Sequence, residues 1–372
     1  MIEAVRALVP RIRAAADATE ANRRVSRDLV DALTDAGVFR LCVPRALGGL
    51  EAHPAVLADV LATIAAADGS TGWCAMIAAT SGVVSAYLPD AMAREIYADP
   101  HAITGGVFAP CGTAVPAGDG FRVSGRWPFA SGSEHCTWLM GGALVRDDGP
   151  PRARMMLFPA ADVRIVDTWY VSGLRGTGSH DMTVEDVVVP AARSVSLVDD
   201  RPRVAGGLYA FPVFGLLALG IAAVALGIAR AAVDELVRLA SEKRPQGSRR
   251  MLAERGVVQA QVAEAEALVR SARAFLDDAI ACAWRQAEAD GTIALPERMG
   301  LRLAATHATT SAARATDLMY QAGGGTSVYA TSPLQRCFRD VHVATQHAMV
   351  ASATWELAGR ILLHLDTDTA QL

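Results

Sequence analysis

Hydrophobic periodicity changes twice along this chain, and these two changes constrain its fold more than any other feature. Residues 1–102 carry apolar side chains at helical spacing, residues 103–205 alternate with a period of two, and residues 206–372 return to helical spacing. Gly, Pro and Asp break the middle region into short segments, which is typical of an antiparallel barrel or sandwich. The sequence therefore predicts an α+β chain of three domains: an N-terminal helical domain, a central antiparallel β-barrel and a C-terminal four-helix bundle.

One apolar stretch at the start of the third region has two physical explanations. Residues 211–229 run for nineteen positions without a charge, which is nominally long enough to span a bilayer. The stretch is rich in glycine and alanine, and no aromatic or basic belt flanks it. A helix that is apolar on every side is also what the centre of a large helical protein requires. We expect this second case, a buried core helix.

Charge and cysteine usage exclude several classes of function. A net charge of −4 with 20% charged residues gives no basic surface for a nucleic acid or a membrane. The six cysteines are scattered without metal-type spacing, so we expect free thiols in a reducing compartment and no metal site. Residues 1–6 contain no apolar signal region, and a cytoplasmic location is expected.

Five local segments carry a resemblance to a known family. They are residues 43–49 (VPRALGG), 68–73 (DGSTGW), 125–132 (GRWPFASG), 173–179 (GLRGTGS) and 320–339. In this order the chain resembles the acyl-CoA dehydrogenase fold superfamily over essentially its whole length, and it is most similar to the two-component flavin-dependent monooxygenases (group D). The resemblance implies a homotetramer that receives reduced FMN or FAD from a separate NAD(P)H:flavin reductase. It also implies O2 as co-substrate and an aromatic or polycyclic substrate of the phenol, polyketide or steroid type.

The resemblance places three of these segments, residues 68–73, 125–132 and 173–179, beside the flavin ring. Phe129 and Ala130 would pack on the ring, the Ser131 hydroxyl would bond its edge near N5, and Trp73 would be a further cofactor contact. Alternatively, Ser131 caps the backbone of its own turn. Arg175 opens a glycine-punctuated loop that lies beside the ring or substrate in the family, although a turn between two strands has the same composition.

A second group of residues is assigned to the phosphate end of the flavin. Consecutive glycines expose backbone N–H groups that suit an anion, and by the resemblance this turn contacts the pyrophosphate or ribityl chain. Lys243 occupies a place where relatives have a cofactor-binding arginine. The turn could instead be only a helix stop and hinge. Its members are Gly323, Gly324, Gly325, Thr326 and Ser327.

His347 is the predicted catalytic residue, together with Ser131. Dehydrogenases of the superfamily carry a catalytic Glu at the position of Ala348, and the alternative place for that base, within residues 211–229, contains no Asp or Glu. The resemblance therefore implies oxygenation through a C4a-hydroperoxyflavin. His347 would either bond to the peroxide or deprotonate a substrate hydroxyl.

Three other functions stay open at this stage. They are N- or S-oxygenation by the same fold, a remaining acyl-CoA dehydrogenase activity, and a non-catalytic assembly subunit. Many relatives have a substrate-facing histidine where this chain has Ser81, so we do not expect a phenol held by two histidines. The sequence does not choose between FMN and FAD.

Overall fold

In a computed structural model, which describes residues 1–372, the N-terminal region with helical spacing forms five α-helices. Helix α2 begins after Ser26, whose hydroxyl accepts from the Leu29 backbone N–H, and α4 begins after Asp68, whose carboxylate accepts from the Thr71 N–H. The last of these helices ends at Tyr97, and the first strand begins at Thr104. The helices are α1 (Ile2–Asn22), α2 (Arg27–Asp35), α3 (Pro54–Ala65), α4 (Gly69–Ser81) and α5 (Asp90–Tyr97).

The region whose apolar residues alternate with a period of two, residues 103–205, forms one seven-stranded sheet. Its strands, whose bounds are given below, lie in the order β5-β6-β2-β1-β3-β4-β7. Its edge strands β5 and β7 do not pair, so the closed barrel expected from the sequence is not confirmed. The sheet is also not fully antiparallel, because β1 and β3 run parallel. Alternation specifies the buried face of a strand but not its direction. The strands are β1 (Thr104–Ala117), β2 (Gly120–Ala130), β3 (Trp138–Val145), β4 (Arg152–Pro159), β5 (Arg164–Val166), β6 (His180–Pro190) and β7 (Ser194–Val195).

The sheet has a small core of its own, centred on Trp127. This indole is fully buried, and its Nε1 donates to the Gly142 carbonyl at 2.6 Å. A Cβ at Gly112, Gly125 or Gly141 would lie 2.4–2.6 Å from the indole ring, so these glycines make the space that it fills. Trp127 is therefore a core residue of the sheet, which leaves the rim of β2 free for another role.

The third region is a helical bundle built around α7. Helices α7 to α10 form the four-helix bundle, and α6 and α11 flank it. Helix α7, Val213–Glu242, is long and apolar enough to cross a membrane by length and composition, and 89% of its most apolar window is buried inside the protein. The bounds are α6 (Gly207–Ala210), α7 (Val213–Glu242), α8 (Gly256–Asp290), α9 (Leu295–Gly323), α10 (Pro333–Thr345) and α11 (Ala353–Leu362).

The N-terminal helices lie against α7 at backbone distance. A Cβ added at Gly227 of α7 would lie 2.4 Å from the Ala62 carbonyl oxygen and 2.8 Å from the Ala65 Cβ, both on α3. Neither neighbour is a flexible side chain that can move aside. The absence of a side chain at Gly227 therefore sets how closely α3 and α7 cross.

We predict that Gly227→Ala destabilises the protein by about 1–3 kcal/mol, because the added methyl group overpacks a backbone contact. The matched control is Gly300→Ala on α9, where a Cβ meets nothing within 4 Å. That variant should gain about 0.5–1 kcal/mol from helix propensity. Urea unfolding of both variants measures the two effects, and equal stabilisation of both would contradict the close crossing.

Candidate functional site

Trp73, in the second turn of α4, contacts two predicted site residues, Ser131 and His347. Its Nε1 donates a hydrogen bond to the Ser131 hydroxyl at 3.1 Å, and its ring centroid lies 5.9 Å from that of His347. Asp68 fixes this end of the helix by accepting from both the backbone N–H and the hydroxyl of Thr71. The start of α4, the end of β2 and the turn after α10 therefore meet at one indole.

The Ser131 hydroxyl bonds to side chains and makes no hydrogen bond to its own turn. Besides Trp73, its partner is the Ser179 hydroxyl at 2.6 Å, which lies 2.6 Å from the Thr177 hydroxyl. Thr177 donates to the Leu174 carbonyl at 2.7 Å. No hydrogen bond supports the alternative prediction that Ser131 caps its own turn. A row of buried hydroxyls from the loop before β6 holds Ser131 instead.

Phe129 presents an exposed aromatic ring beside this row. Its side chain is 67% exposed, and its backbone has a φ of 67°, which is unfavourable for a bulky residue. The β2–β6 register shifts between Trp127 and Ala130, which turns Phe129 outward at the rim of the sheet. The ring meets Trp169 edge to face with centroids 6.0 Å apart. This surface fits one face of a planar ring such as the isoalloxazine of a flavin.

The structure limits what two other ring contacts can do. The Ala130 side chain is fully buried in the core of the sheet, so only its backbone can face a ligand. Arg175 forms no ion pair, and its Nε is buried without a hydrogen-bond partner. A buried N–H group that lacks an acceptor is costly unless a ligand or water supplies one. Arg175 therefore fits a ligand with carbonyl or anionic oxygens.

His347 lies in the turn after α10 as a neutral hydrogen-bond donor. Its Nδ1 accepts from the Met349 backbone N–H at 3.2 Å, which places the proton of the neutral ring on Nε2. Burial lowers the pKa of His347 from 6.5 to about 4, and the Arg302 guanidinium acts in the same direction. At neutral pH the ring therefore offers an Nε2–H donor. The Met349 contact occupies the nitrogen that a general base would use.

A buried carboxylate lies close to this site but is used by the protein itself. Oδ1 of Asp340 accepts from the Leu174 backbone N–H at 2.6 Å, and the residue is 3% exposed. A Cβ at Gly69 would lie 3.1 Å from Oδ2, so this oxygen faces the start of α4. Burial raises the pKa of Asp340 to about 7. Asp340 therefore anchors the loop that contains Leu174 and offers no carboxylate to a cleft.

Lys243 and the predicted phosphate-binding turn are in contact, although eighty residues separate them. Lys243 Nζ donates to the Gly323 carbonyl at 2.7 Å. Gly324 has a φ of 57°, which glycine adopts without strain. The Ser327 hydroxyl is fully buried and donates to the Tyr320 carbonyl at 2.8 Å, so it stabilises the turn from inside. The members left open to a ligand are Gly324, Gly325 and Thr326.

Sequence reasoning missed three residues of this arrangement. Thr177 and Ser179 lie within a segment whose glycines and hydroxyls were expected to meet a ligand, but the sequence did not reveal that these hydroxyls bond to Ser131 and to each other. Asp340 belongs to the Arg-Asp pair that marked α10, but its partner Leu174 is 166 residues away. No group of three or more His, Cys, Asp or Glu side chains is arranged to hold a metal ion.

Comparison with known families and proteins agrees with this geometry. Residues 1–94 match the acyl-CoA dehydrogenase N-terminal domain, and residues 219–352 match the acyl-CoA dehydrogenase C-terminal domain. An indole-3-acetate monooxygenase of Pseudomonas putida is 38% identical over 340 residues, which cover 91% of this chain and 87% of that protein. The HsaA oxygenase subunit of a flavin-dependent monooxygenase from Mycobacterium tuberculosis is 32% identical, covering 94% of this chain and 91% of that protein.

One solved structure contains the cofactor in its reduced form. XiaF from Streptomyces sp., solved in complex with FADH2 and glycerol, superimposes with a TM-score of 0.91 at 27% identity. The match covers 98% of this chain and 95% of XiaF. The likeness therefore extends over all three regions of the chain and is not confined to the helical ends.

We predict that His347 makes stability depend on pH in the acid range. Its folded pKa is lowered from 6.5 to about 4. Its contribution is therefore complete above pH 6.5 and is lost as the pH falls through 4. Between pH 7.5 and pH 5 the loss should be about 1–2 kcal/mol. His347→Gln should remove this part of the pH dependence, measured by urea unfolding of the flavin-free protein at both values. A variant with the same pH dependence as the wild type would show that the ring is not held neutral.

Proposed function

Because the chain belongs to the acyl-CoA dehydrogenase family, we infer that it is a flavin-dependent monooxygenase of the two-component type. It is an oxidoreductase that uses reduced flavin and O2 to oxygenate an aromatic or polycyclic substrate. Relatives over at least nine-tenths of the chain carry names of this kind, including a resorcinol hydroxylase described as an oxygenase component. The electrons therefore come from a separate reductase.

The observation that carries this function is the neutral imidazole of His347 in a place where no carboxylate is offered. Removal of a proton next to a thioester carbonyl needs a base. Ala348 has no ionisable group, and the part of α7 that could carry a base is free of Asp and Glu. The two buried acids described above are both bonded within the protein, Asp340 to the Leu174 N–H and Asp68 to Thr71. The site therefore favours oxygenation over acyl-CoA oxidation.

The cofactor is reduced FMN or FAD, and several side chains fit it. When bound, the reduced ring supplies the two electrons that activate O2. Phe129 would lie against the ring, Ser131 would meet its edge, and Arg175 would give its unpaired Nε–H to an oxygen. His347 would donate its Nε2–H toward the oxygen side of the ring and so hold a proton there while water is excluded.

The phosphate end would use the second group of residues. Lys243 carries the positive charge, and the turn beside it leaves Gly324 and Gly325 exposed. Helix α10 joins this turn to His347, and its 13 residues span about 20 Å. We propose that a neighbouring subunit supplies part of this site, since eight exposed large apolar side chains lie in the C-terminal third of the chain. They are Val257, Phe275, Val328, Tyr329, Trp355, Leu362, Leu363 and Leu365.

The oligomer and its location are part of the same proposal. A homotetramer would cover exposed apolar residues such as the adjacent pairs Val328 and Tyr329, and Leu362 and Leu363. A cytoplasmic location is supported by six free cysteines, two of them buried and inert. It also agrees with dependence on a reductase that uses NAD(P)H.

We predict that His347→Ala uncouples oxygen consumption from product formation. Reduced flavin is mixed anaerobically with the protein and then with O2, and the return of oxidised flavin and the release of H2O2 are followed. Loss of one hydrogen bond to a charged oxygen should speed peroxide release by about 10- to 100-fold. His347→Gln, which keeps an N–H donor, should lie between the wild type and His347→Ala. The matched control is His101→Ala at an exposed position before β1, which should behave as the wild type.

Two results would oppose the proposed function. One is wild-type protein that releases peroxide as fast as free reduced flavin does, in the presence of aromatic substrates. The other is bleaching of oxidised flavin by an acyl-CoA thioester without O2, which would show that a base is present after all.

A further inference from the structure

The buried hydroxyls beside Ser131 form a hydrogen-bond chain with two fixed ends. Trp73 Nε1 lies 3.1 Å from Ser131 Oγ, which lies 2.6 Å from Ser179 Oγ, and this in turn lies 2.6 Å from Thr177 Oγ1. The last hydroxyl lies 2.7 Å from the Leu174 carbonyl oxygen. An indole N–H can only donate and a carbonyl oxygen can only accept. The chain therefore begins at a donor and ends at an acceptor.

These ends determine where each hydroxyl hydrogen lies. Thr177 has one hydrogen and gives it to Leu174, so it accepts from Ser179. Ser179 has then used its own hydrogen and accepts from Ser131. Ser131 accepts from Trp73 and donates to Ser179. Four hydrogen bonds form in this direction. The opposite direction forms three and sets the lone pairs of Thr177 against those of Leu174.

The direction leaves Ser131 with a free lone pair and no free hydrogen. Ser131 can therefore accept one further hydrogen bond but cannot donate one. The flavin ring nitrogen at this edge carries a hydrogen in reduced flavin and none in oxidised flavin. The nitrogen of the reduced ring can donate its hydrogen to the Ser131 oxygen. The nitrogen of the oxidised ring has only a lone pair, which would face the lone pair of the Ser131 oxygen.

We propose that Thr177 and Ser179 are positioning residues that orient the Ser131 hydroxyl as an acceptor and so make the site discriminate between reduced and oxidised flavin. This inference rests on the proposed function, because it requires a flavin at Ser131. Trp73 fixes the donor end, and the Leu174 carbonyl fixes the acceptor end. The discrimination comes from the loop and not from the residue that touches the ring.

Asp340 extends the argument to the loop itself. Leu174 has a φ of 49°, and its N–H donates to the buried Asp340 carboxylate. Its carbonyl also accepts from Trp169 Nε1 at 3.0 Å. The acceptor end of the chain is therefore held by α10 and by a second indole.

The test compares the dissociation constants of oxidised and reduced flavin for Thr177→Val and Thr177→Ser. Valine has the shape of threonine without the hydroxyl, so Ser179 can turn its hydrogen to Ser131, and Ser131 can donate to oxidised flavin. The ratio of the affinity for reduced flavin to the affinity for oxidised flavin should fall by about tenfold. This lowers the two-electron potential of the bound flavin by about 30 mV. Thr177→Ser should keep the wild-type ratio. Both constants and the potential are measured without substrate turnover.

Ser179→Ala and Thr309→Val complete the design. Ser179→Ala removes the acceptor of the Ser131 hydrogen and should shift the ratio in the same direction as Thr177→Val. Thr309→Val removes a buried hydroxyl that donates to the Ala305 carbonyl within α9, and it should leave the ratio unchanged. Unchanged ratios in both loop variants, or equal weakening of both flavin forms, would overturn the positioning role while leaving the proposed function intact. Wild-type protein that binds neither form of flavin would overturn both.

Discussion

The hydrogen bond from the Leu174 backbone N–H to the Asp340 carboxylate is the contact on which the site depends. It joins the loop before β6 to α10, and it holds Leu174 in a left-handed conformation that a branched residue rarely adopts. Gly173 makes this approach possible, because a Cβ there would lie 2.3 Å from the Arg339 carbonyl oxygen. Together with the hydrogen bond from the Arg339 guanidinium to the Ser172 carbonyl, this contact joins the loop of the sheet domain to the helical bundle. Ser131 and His347, which belong to the two different parts, are thereby held around the same indole.

The overall architecture followed from the sequence where burial alone determines the pattern. The change of period located the strands, and the charge-free stretch became the buried start of α7, Val213–Glu242. The direction of the strands could not be predicted from the sequence. The parallel β1–β3 pair arises because residues 131–137 pass the start of β1 near Gly105, so that β3 begins at Trp138 on the other side of β1 and runs in the same direction. Such a crossing is decided by tertiary packing, and the alternation of side chains is the same for either direction.

The structure brings Trp73, Ser131 and His347 together, but their hydrogen-bond partners did not follow from the sequence. Lys243 and the glycine turn were assigned to one function and do meet through the Gly323 carbonyl. The sequence did not reveal that Ser327 points inward or that Ser131 is bonded from a loop 48 residues away. A hydroxyl has the same appearance in a sequence whether it donates or accepts. Only the partners at both ends of a chain of hydroxyls determine its direction, and those partners come from separate parts of the fold.

Burial has opposite effects on the two kinds of group that this fold could place after α10. Loss of water raises the pKa of a carboxylate, as it does for Asp340, and lowers the pKa of an imidazole, as it does for His347. A carboxylate in such a place becomes a stronger base, which suits the removal of a proton from carbon. An imidazole becomes a neutral donor, which suits the retention of a proton on oxygen. Removal from water can therefore favour either chemistry, according to whether a carboxylate or an imidazole occupies the position.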